Sequence, residues 1–414
     1  MHVKNAALIY VDYVVHERKL SEFKLLAEAA GYRPVIVLVQ EREPDSRYYL
    51  GPGKLKELKD EIKRSSIDVV ITYHELKPKQ HFNLERELGV TVMDRVELIL
   101  EIFSKRAGTR EAKLQIELAQ LKHRLPLIRE YIRLAKMGEQ IGYHGAGEYA
   151  VEAYYRYVRR RITTISRELR EIRSRKRLLI VKRRERGLPE IVLTGYTMAG
   201  KTTLFNRLCK EFKYRDGRPF ATLSTYSSLI DLGGIRAILT DTIGFIDDLP
   251  PLLIEAFYAT IEEIAQSDLI LLVLDVSESL DEFERKLSTS LKVLRDLTIP
   301  MEKVLPVLNK IDIVSEKDVE KRVELVKKVG LNDPVPISAE KGINIDVLRR
   351  AIVEKLAPQK IEVFINVDQI PEWIFKYAKV EQCDGKVILR PVSSYTDRIV
   401  RWLENMNIKY SVSR

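Results

Sequence analysis

Cysteine is scarce in this 414-residue sequence, which contains only Cys209 and Cys383. Two thiols cannot build the disulfide framework of a small secreted protein, so we expect no disulfide partner and a reducing compartment. The sequence also lacks any run that approaches the roughly 18 consecutive apolar residues of a membrane-spanning helix. These two shortages argue against a disulfide-rich secreted protein and against a protein that crosses a membrane.

The ends of the sequence show no targeting or lipid-attachment pattern. The apolar patch in MHVKNAALIYVDY is short and is interrupted by Asp12, so it predicts a first β-strand and not a secretion signal. No glycine follows Met1 for myristoylation, and the final residues SVSR do not form a prenylation box. We therefore predict a cytoplasmic protein without a membrane partner, and we expect a monomer.

The composition, 45% hydrophobic and 31% charged, is typical of a globular protein, and the length suggests about three domains. Residues 1–95 alternate apolar segments with amphipathic ones. AALIYVDY, PVIVLVQ, IDVVITY and VTVMD predict strands, and RKLSEFKLLAEAA, KLKELKDEIKR and PKQHFNLEREL predict helices. This alternation predicts an N-terminal α/β subdomain with a parallel sheet.

Residues 96–187 predict a helical hairpin that projects from the first subdomain. Apolar residues recur at helical spacing from Val96 to about Lys136, and Pro126 is predicted to kink or split this region. A second helical pattern runs from Tyr149 to about Arg186. Between them, the tip at about 137–148 is unsuited to a helix interior because it contains four glycines, Gly138, Gly142, Gly145 and Gly147.

The rest of the chain predicts two further domains. RGLPE, residues 186–190, is the expected linker into residues 188–358, where strands and helices alternate again. This pattern, with the motif described below, predicts a doubly wound α/β P-loop domain. Residues 359–414, with IEVFINV, KVILRPV and KYSV as strands, predict a small α+β appendage.

Positive charge is concentrated in one segment. The chain carries a formal net charge of +10. Residues 156–186 hold fourteen Lys or Arg and three Glu, a net charge of +11, so the remainder is close to neutral. A dense arginine stripe favours a polyanionic partner such as RNA. The alternative is a solvated helix face in which Glu168 and Glu171 pair with nearby arginines.

GYTMAGKTTLFNRL, residues 195–208, matches the phosphate-binding pattern G-x-x-x-x-G-K-[ST] and lies between an apolar strand pattern and a helical one. Glycines allow backbone N–H groups to curl around a phosphate, and the helix start adds its positive dipole end. Lys201 is predicted to reach the β- and γ-phosphates, and Thr202 to bind Mg²⁺. The predicted phosphate-binding residues are Gly195, Tyr196, Thr197, Met198, Ala199, Gly200, Lys201, Thr202 and Thr203.

Two segments that follow predict the magnesium and γ-phosphate contacts. ILTDTIGF ends a strand at Asp241, whose carboxylate can hold Mg²⁺ through water. Gly244 is placed for its N–H to bind the γ-phosphate, and Thr242 belongs to the same nucleotide site. In RPFATLSTYSS, Thr222 is the candidate for a second Mg²⁺ hydroxyl, with Thr225 as the alternative. The predicted catalytic residues are Lys201, Thr222 and Gly244.

Two last segments predict that the base is guanine. In VLPVLNKID, ionised Asp312 is an acceptor that suits the N1–H and N2–H₂ donors of guanine, a pair that adenine lacks. Asn309 can bond the N7 edge, and the stem of Lys310 can cover a ring face. In PISAEKG, Ser338 and Ala339 follow a strand, and the Ala339 N–H could meet guanine O6. Because all these segments occur in the required order, the sequence predicts a GTP- and GDP-binding site.

Phe245 follows Gly244 at the position where Ras-like hydrolases carry a water-orienting glutamine. A phenyl ring cannot orient a nucleophilic water. The sequence therefore predicts slow GTP hydrolysis by the protein alone and faster hydrolysis with a partner that orders the site. The alternative is a nucleotide-dependent RNA- or ribosome-binding protein with negligible turnover.

These motifs together resemble those of the HflX family of ribosome-associated GTPases. GYTMAGKTTLFNRL, FATL, DTIGFI, NKID and SAEKG are similar to its G-domain motifs. RAGTREAKLQIELAQLKHRLPLI and GYHGAGEYAVEAYYRYVRRRI are similar to its N-terminal signature helix and glycine-rich loop. The resemblance covers roughly residues 45–345. It implies a GTPase that docks on the large ribosomal subunit and its rRNA, and that parts the subunits or rescues stalled ribosomes.

Several residues depart from the family pattern. Met198 stands where asparagine is usual, and Ser224-Thr225-Tyr226 replaces Asp-Pro-Thr after FATL. His144 and Ala146 replace Arg and Pro in the tip, and Tyr154-Tyr155 replaces Asp-Arg. The tyrosines are predicted either to stack on bases or to fill the interface between helices. LGPGK, residues 50–54, resembles a family segment linked to ATP, but the sequence favours a helix start there over a second phosphate site.

Overall fold

The computed structural model describes residues 4–136, 148–185, 188–209, 226–233, 235–242, 244–245, 264–383 and 386–413. Two compact units divide the chain after residue 172, inside a long helix. No helix in the described ranges is long and apolar enough to cross a membrane. Each unit has its own sheets and its own buried core.

The first unit contains a parallel sheet in the order β2-β1-β3-β4. Its strands are β1 (Lys4–Asp12), β2 (Tyr32–Glu41), β3 (Val69–Thr72) and β4 (Thr91–Asp94). Its helices are α1 (Glu17–Ala29), α2 (Pro52–Ser65), α3 (Pro78–Leu88) and α4 (Arg95–Arg106). The predicted parallel α/β sheet is confirmed. The LGPGK segment starts α2, with Pro52 in its first turn, and the Lys54 ammonium pairs with Glu57 at 2.8 Å.

The hairpin helices are α5 (Arg110–Lys136) and α6 (Glu148–Glu185). Of the two predictions for Pro126, a kink or a split, the split is wrong, because α5 runs through Pro126. The break lies at residues 107–109, between α4 and α5. Leu114 of α5 packs with Ile165 and Leu169 of α6. The predicted glycine-rich tip, with His144 and Ala146, lies outside the described residues except for Glu148, the first residue of α6.

In the second unit, residues 188–358 form a six-stranded sheet in the order β10-β9-β8-β5-β7-β6. Its strands are β5 (Glu190–Thr194), β6 (Tyr226–Asp231), β7 (Arg236–Asp241), β8 (Leu269–Asp275), β9 (Val304–Asn309) and β10 (Val335–Ile337). β6 is antiparallel to β7, and the other pairs are parallel. The helices are α7 (Lys201–Cys209), α8 (Leu280–Asp296), α9 (Glu316–Lys328) and α10 (Ile345–Leu356). Parallel strands bring their carboxyl ends to one edge, where ligands of such sheets bind.

The C-terminal appendage is an antiparallel sheet in the order β12-β13-β11-β14 with one helix. Its elements are β11 (Lys360–Val363), β12 (Ala378–Cys383), β13 (Lys386–Pro391), α11 (Thr396–Asn405) and β14 (Tyr410–Ser413). Short 3-10 turns occur at Met301–Lys303, Ile311–Ile313, Val367–Gln369, Ile374–Lys376 and Ser393–Tyr395. The α+β prediction is confirmed, although β12 was not foreseen. The Ser393 hydroxyl donates to the Leu356 carbonyl at 3.0 Å, which ties the appendage to α10.

Candidate functional site

The loop between β5 and α7 requires glycine at both ends of its pattern. Gly195 has a φ of 136°, and a Cβ there would lie 2.2 Å from the Val273 carbonyl oxygen. Gly200 has a φ of 94°, and a Cβ there would lie 2.2 Å from Asn309 Nδ2. Any larger residue would push the loop away from β8 or β9. The loop is therefore a tight cradle of the kind that surrounds a phosphate.

Lys201 begins α7 and is only 7% exposed. Its Nζ donates to the carbonyl oxygens of Gly195 at 3.0 Å and Tyr196 at 2.6 Å. Burial lowers the pKa of this ammonium to about 8, against the attraction of Asp241. A buried cation beside a cradle of backbone N–H groups favours a strongly anionic ligand, because a phosphate would replace the lost hydration of the ammonium.

Thr202 and Asp241 lie together at the carboxyl end of β7. The Thr202 hydroxyl donates to Asp241 Oδ2 at 2.9 Å, and Asp241 is fully buried. One hydroxyl and one carboxylate beside a phosphate cradle are hard oxygen ligands of the kind that Mg²⁺ takes together with phosphate oxygens and water. The residues present therefore fit a magnesium ion. Thr222, the predicted second hydroxyl, and Thr225 lie outside the described residues.

The segment after β7 is bonded to the phosphate loop. The Phe245 N–H donates to the Gly195 carbonyl at 2.9 Å, and the Thr197 N–H donates to the Phe245 carbonyl at 3.0 Å. A Cβ on Gly244 would lie 2.6 Å from Lys201 Nζ, so only glycine fits there. The Thr242 hydroxyl donates to the Leu193 carbonyl at 2.7 Å, which anchors this segment to β5. The phosphate loop and this segment are therefore one connected unit.

Asn309, at the end of β9, joins the phosphate loop to the SAEKG loop, which we define as residues 338–342. Its Nδ2 donates to the Ala199 carbonyl, and its Oδ1 accepts from the Ala339 N–H, both at 2.9 Å. Asn309 is 2% exposed, and Ser338 and Ala339 are fully buried. In this structure the Ala339 N–H, predicted to meet guanine O6, is bonded to Asn309. The contact of Asn309 with the N7 edge of guanine and the contact of the Ala339 N–H with O6 both stay predictions.

Lys310 and Asp312 flank the same edge of the sheet. Lys310 has a left-handed backbone with a φ of 73°, and its Nζ pairs with the carboxylate of Asp275 at the end of β8. Such a pair holds the aliphatic stem of the lysine at the edge where a base would lie. Asp312 lies exposed in the turn Ile311–Ile313. Its carboxylate therefore remains accessible to a base.

Two residues of this region were missed by the sequence analysis. Asp275 ends the apolar strand LILLVLD, and its position at the carboxyl edge was the available signal. Arg207 of α7 donates to the carbonyl oxygens of Ala339, at 3.1 Å, and Glu340. No sequence signal identified Arg207, because its acceptors lie more than 130 residues along the chain.

The arginine stripe of α6 separates into paired and exposed members. Arg161 makes a bidentate pair with Glu117 of α5, with bonds of 2.6 and 2.8 Å. Glu168 pairs at 2.9 Å with Arg110 of α5, an arginine outside the stripe. Arg156, Arg160, Arg167 and Arg170 are exposed. Their spacing of four, seven and three residues places them on one face of α6, which we name the arginine face.

The two tyrosines near the start of α6 belong to the hairpin interior. Tyr154 and Tyr155 pack against a cluster that includes Ile128, Tyr131 and Val158. The Tyr155 hydroxyl accepts a bond from Arg129 Nε at 2.9 Å. Of the two interpretations of this pair, the structure favours the interface between helices over base stacking.

Family comparisons cover most of the chain. Residues 17–104 match the model described as "GTP-binding GTPase N-terminal", and residues 106–184 match "GTP-binding GTPase Middle Region". Residues 190–310 match "50S ribosome-binding GTPase". The chain is 51% identical to GTPase HflX of Thermofilum pendens over 343 residues, which are 83% of this chain and 80% of that protein. The chain belongs to the HflX family of GTPases.

A second HflX relative and a solved structure of a GDP complex are also similar to this chain. GTPase HflX of Escherichia coli K12 is 35% identical over 362 residues, 86% of this chain and 83% of that protein. A solved structure described as SsGBP in complex with GDP is 31% identical, with a TM-score of 0.51 and coverage of 85% of this chain and 98% of its own. As an HflX GTPase, the chain binds GTP and GDP and hydrolyses GTP. The predicted family and enzyme class are confirmed.

Proposed function

We propose that this HflX GTPase is a cytoplasmic, monomeric switch that binds the large ribosomal subunit and acts in subunit dissociation, rescue or regulation under stress. The observation that carries the proposal is the arginine face of α6 in the same chain as the phosphate-loop cradle with its buried Lys201. The family model that matches residues 190–310 is described as a 50S ribosome-binding GTPase. The partners would be the large subunit and its rRNA.

In the proposed nucleotide site, the loop 195–203 surrounds the phosphates. Lys201 would turn from its two loop carbonyls to the β- and γ-phosphates. This change is favoured because the negative phosphates stabilise the buried positive ammonium. Thr202 and Asp241, with Thr222, would hold Mg²⁺, which when bound neutralises charge on the phosphate oxygens. Gly244 would offer its N–H to the γ-phosphate. Because the segment of Gly244 is hydrogen-bonded to the phosphate loop, loss of the γ-phosphate would change the conformation of both.

The proposed base site lies at the ends of β9 and β10. Exposed Asp312 would accept the N1–H and N2–H₂ donors of guanine, and Lys310 would cover one ring face. Asn309, Ser338 and Ala339 would complete the site. Asn309 already fixes the distance between the phosphate loop and the SAEKG loop through its two bonds. This bridge would hold the base-binding loop and the phosphate loop at the distance that one bound nucleotide spans.

The arginine face would supply the RNA contact. Arginine pairs with phosphate through a planar fork of donors. Among the residues that the structure describes, Arg156, Arg160 and Arg167 have no carboxylate partner, so their charges repel one another in the free protein. An RNA backbone along this face would remove that repulsion.

Ribosome-stimulated turnover is the test of this proposal. GTP hydrolysis is measured with and without purified large ribosomal subunits. We expect slow turnover by the protein alone, because Phe245 offers no group that orients water, and an increase of at least tenfold with large subunits. Small subunits at the same RNA concentration are the control. Fast turnover without ribosomes, or equal stimulation by both subunits, would contradict the proposal.

A further inference from the structure

The SAEKG loop is held from two opposite sides. On one side, Asn309 accepts the Ala339 N–H at 2.9 Å. On the other side, the Arg207 guanidinium donates from Nε to the Ala339 carbonyl at 3.1 Å and from Nη2 to the Glu340 carbonyl. Both groups of the Ala339 residue, its N–H and its C=O, are therefore bonded to side chains from other elements.

Both of these side chains connect the SAEKG loop to the segment that contains the phosphate loop and α7. Asn309 also donates to the Ala199 carbonyl at 2.9 Å, inside the loop. Arg207 lies on α7, whose first residue is Lys201. The SAEKG loop is thereby fastened to the phosphate-binding element through two independent connections, one from β9 and one from α7.

The loop is also closed on itself, so a movement at one point would move all of it. Ser338 and Ile343 exchange backbone bonds at 3.2 and 3.1 Å, and the Lys341 N–H donates to the Ser338 hydroxyl at 3.0 Å. A Cβ on Gly342 would lie 3.6 Å from Arg207 Cζ, so the guanidinium packs directly against the loop. Arg207 thus contacts a small rigid body at several points.

We propose that Arg207 is a positioning residue that sets the preference for guanine by orienting the SAEKG loop relative to the phosphate loop. The proposal rests on the proposed assignment of Ser338 and Ala339 to the guanine base. A hydrogen bond weakens steeply with misalignment, so a small displacement of the SAEKG loop would weaken a contact between this loop and the base. The phosphate contacts would be unaffected, because the loop 195–203 does not depend on Arg207 for its own bonds.

The fork geometry of arginine matters for this role. The guanidinium presents its donors in a fixed plane and so can hold two successive carbonyls at once. A lysine ammonium keeps the positive charge but is a point donor on a flexible stem. Arg207→Lys therefore separates the effect of orientation from the effect of charge on a bound polyphosphate.

Arg349 of α10 is a matched control. Its Nη1 donates to the Asp231 carbonyl at 2.8 Å, and its Nη2 donates to the Leu208 carbonyl at 3.0 Å. Like Arg207, it donates two hydrogen bonds to backbone carbonyls, and one acceptor, Leu208, lies on α7. Neither acceptor belongs to the SAEKG loop. A purely structural effect of losing such an arginine should appear in both variants.

The experiment measures Kd for GDP and ADP by competition against a fluorescent GDP analogue, with full-length protein. We expect wild type to prefer GDP, and Arg207→Met to bind GDP about tenfold more weakly, the equivalent of one lost hydrogen bond, with ADP within about twofold. Arg207→Lys should lie between them, and Arg349→Met should keep the wild-type GDP-to-ADP ratio.

Two other outcomes have distinct meanings. Equal weakening of GDP and ADP by Arg207→Met, or an unchanged ratio in both Arg207 variants, would overturn the positioning role while leaving the base assignment intact. If wild type itself shows no preference for GDP over ADP, the proposed base site is wrong. If Arg207→Met does not fold, the Arg207→Lys ratio decides, and a wild-type ratio there would also overturn the inference.

Discussion

Met198 has a backbone conformation that its side chain does not favour. Its φ is 65°, in the left-handed region, and the residue is 55% exposed. Non-glycine residues pay roughly 1–2 kcal/mol in this region, while asparagine tolerates it better because its short polar side chain can bond locally. The family resemblance predicts asparagine at this position, and a positive φ is a physical reason for asparagine there.

Met198→Asn should therefore stabilise the protein by about 0.5–1 kcal/mol, because little packing is lost from an exposed side chain and the backbone cost falls. The measurement is the thermal midpoint of the unfolding transition that GDP shifts upward, since a ligand stabilises the unit that binds it. Met198→Ala is the control, because alanine keeps a Cβ in the left-handed region. An equal gain from alanine would show that φ is not the cause.

Among the elements, α5 is held against α3, α4 and the end of β4 by a partly buried polar network. His123 bonds Asp94 at 3.0 Å, and Arg124 Nε donates to Glu97 at 3.2 Å. His81 lies 3.8 Å from Glu97, between α3 and α4. Burial acts to lower the pKa of His123, but the bond to Asp94 and the charges of Asp94, Glu97 and Glu75 outweigh it, so the pKa is raised. The attachment of α5 to the rest of the first unit is therefore stronger when His123 is protonated.

This raised pKa gives a pH dependence with a definite sign. The stabilisation is fully present below the ordinary pKa of histidine and is lost as pH rises through the raised pKa of the folded protein. The midpoint difference between wild type and His123→Phe should therefore be larger at pH 6 than at pH 9, in the transition that GDP does not shift. His16, which is exposed and lies outside this network, is the position for a matched His→Phe control measured at the same two pH values. A constant difference for His123→Phe would refute the role of this pair.

At the scale of the whole molecule, the excess positive charge lies in residues 156–186, the segment that contains the arginine face. The chain outside residues 156–186 is close to neutral, so the interaction with a polyanion should depend on this segment, to which the arginine face belongs. Arg161 is excluded from that surface because it pairs with Glu117, and its loss would disturb the hairpin itself. The test of RNA binding should therefore avoid Arg161.

The triple variant Arg156→Gln, Arg160→Gln and Arg167→Gln should bind large ribosomal subunits more weakly and with less salt dependence. Each lost phosphate contact removes about 0.7–0.9 from the slope of log K against log salt, so the slope should become shallower by about 2. The measurement is sedimentation binding at several salt concentrations. Exposed Lys317, Lys327 and Lys328 of α9, changed together to Gln, remove the same charge elsewhere and should leave the slope unchanged. An unchanged slope in the arginine variant would refute RNA contact by this face.

The sequence by itself determined the fold class and the family. Alternating strand and helix patterns identified the parallel sheets, because hydrophobic periodicity is a local property that each element must satisfy to be buried. The phosphate loop was recognisable because its glycines, lysine and threonine act within eight consecutive residues, where spacing alone fixes geometry. Local patterns were less decisive for β12 and for Pro126, since neighbouring strands and helices support an element whose own pattern is weak.

Only the tertiary structure decided which side chains meet. Asn309 bridges Ala199 and Ala339 across separations of 110 and 30 residues, and Arg207 reaches Ala339 across 132 residues. Likewise, only the packing of α5 against α6 showed that Arg161 is paired while Arg156, Arg160 and Arg167 are exposed. The physical reason is that an ion pair or a hydrogen bond forms only when its two groups are a few ångströms apart, and the fold, not the spacing along the chain, sets which groups come that close.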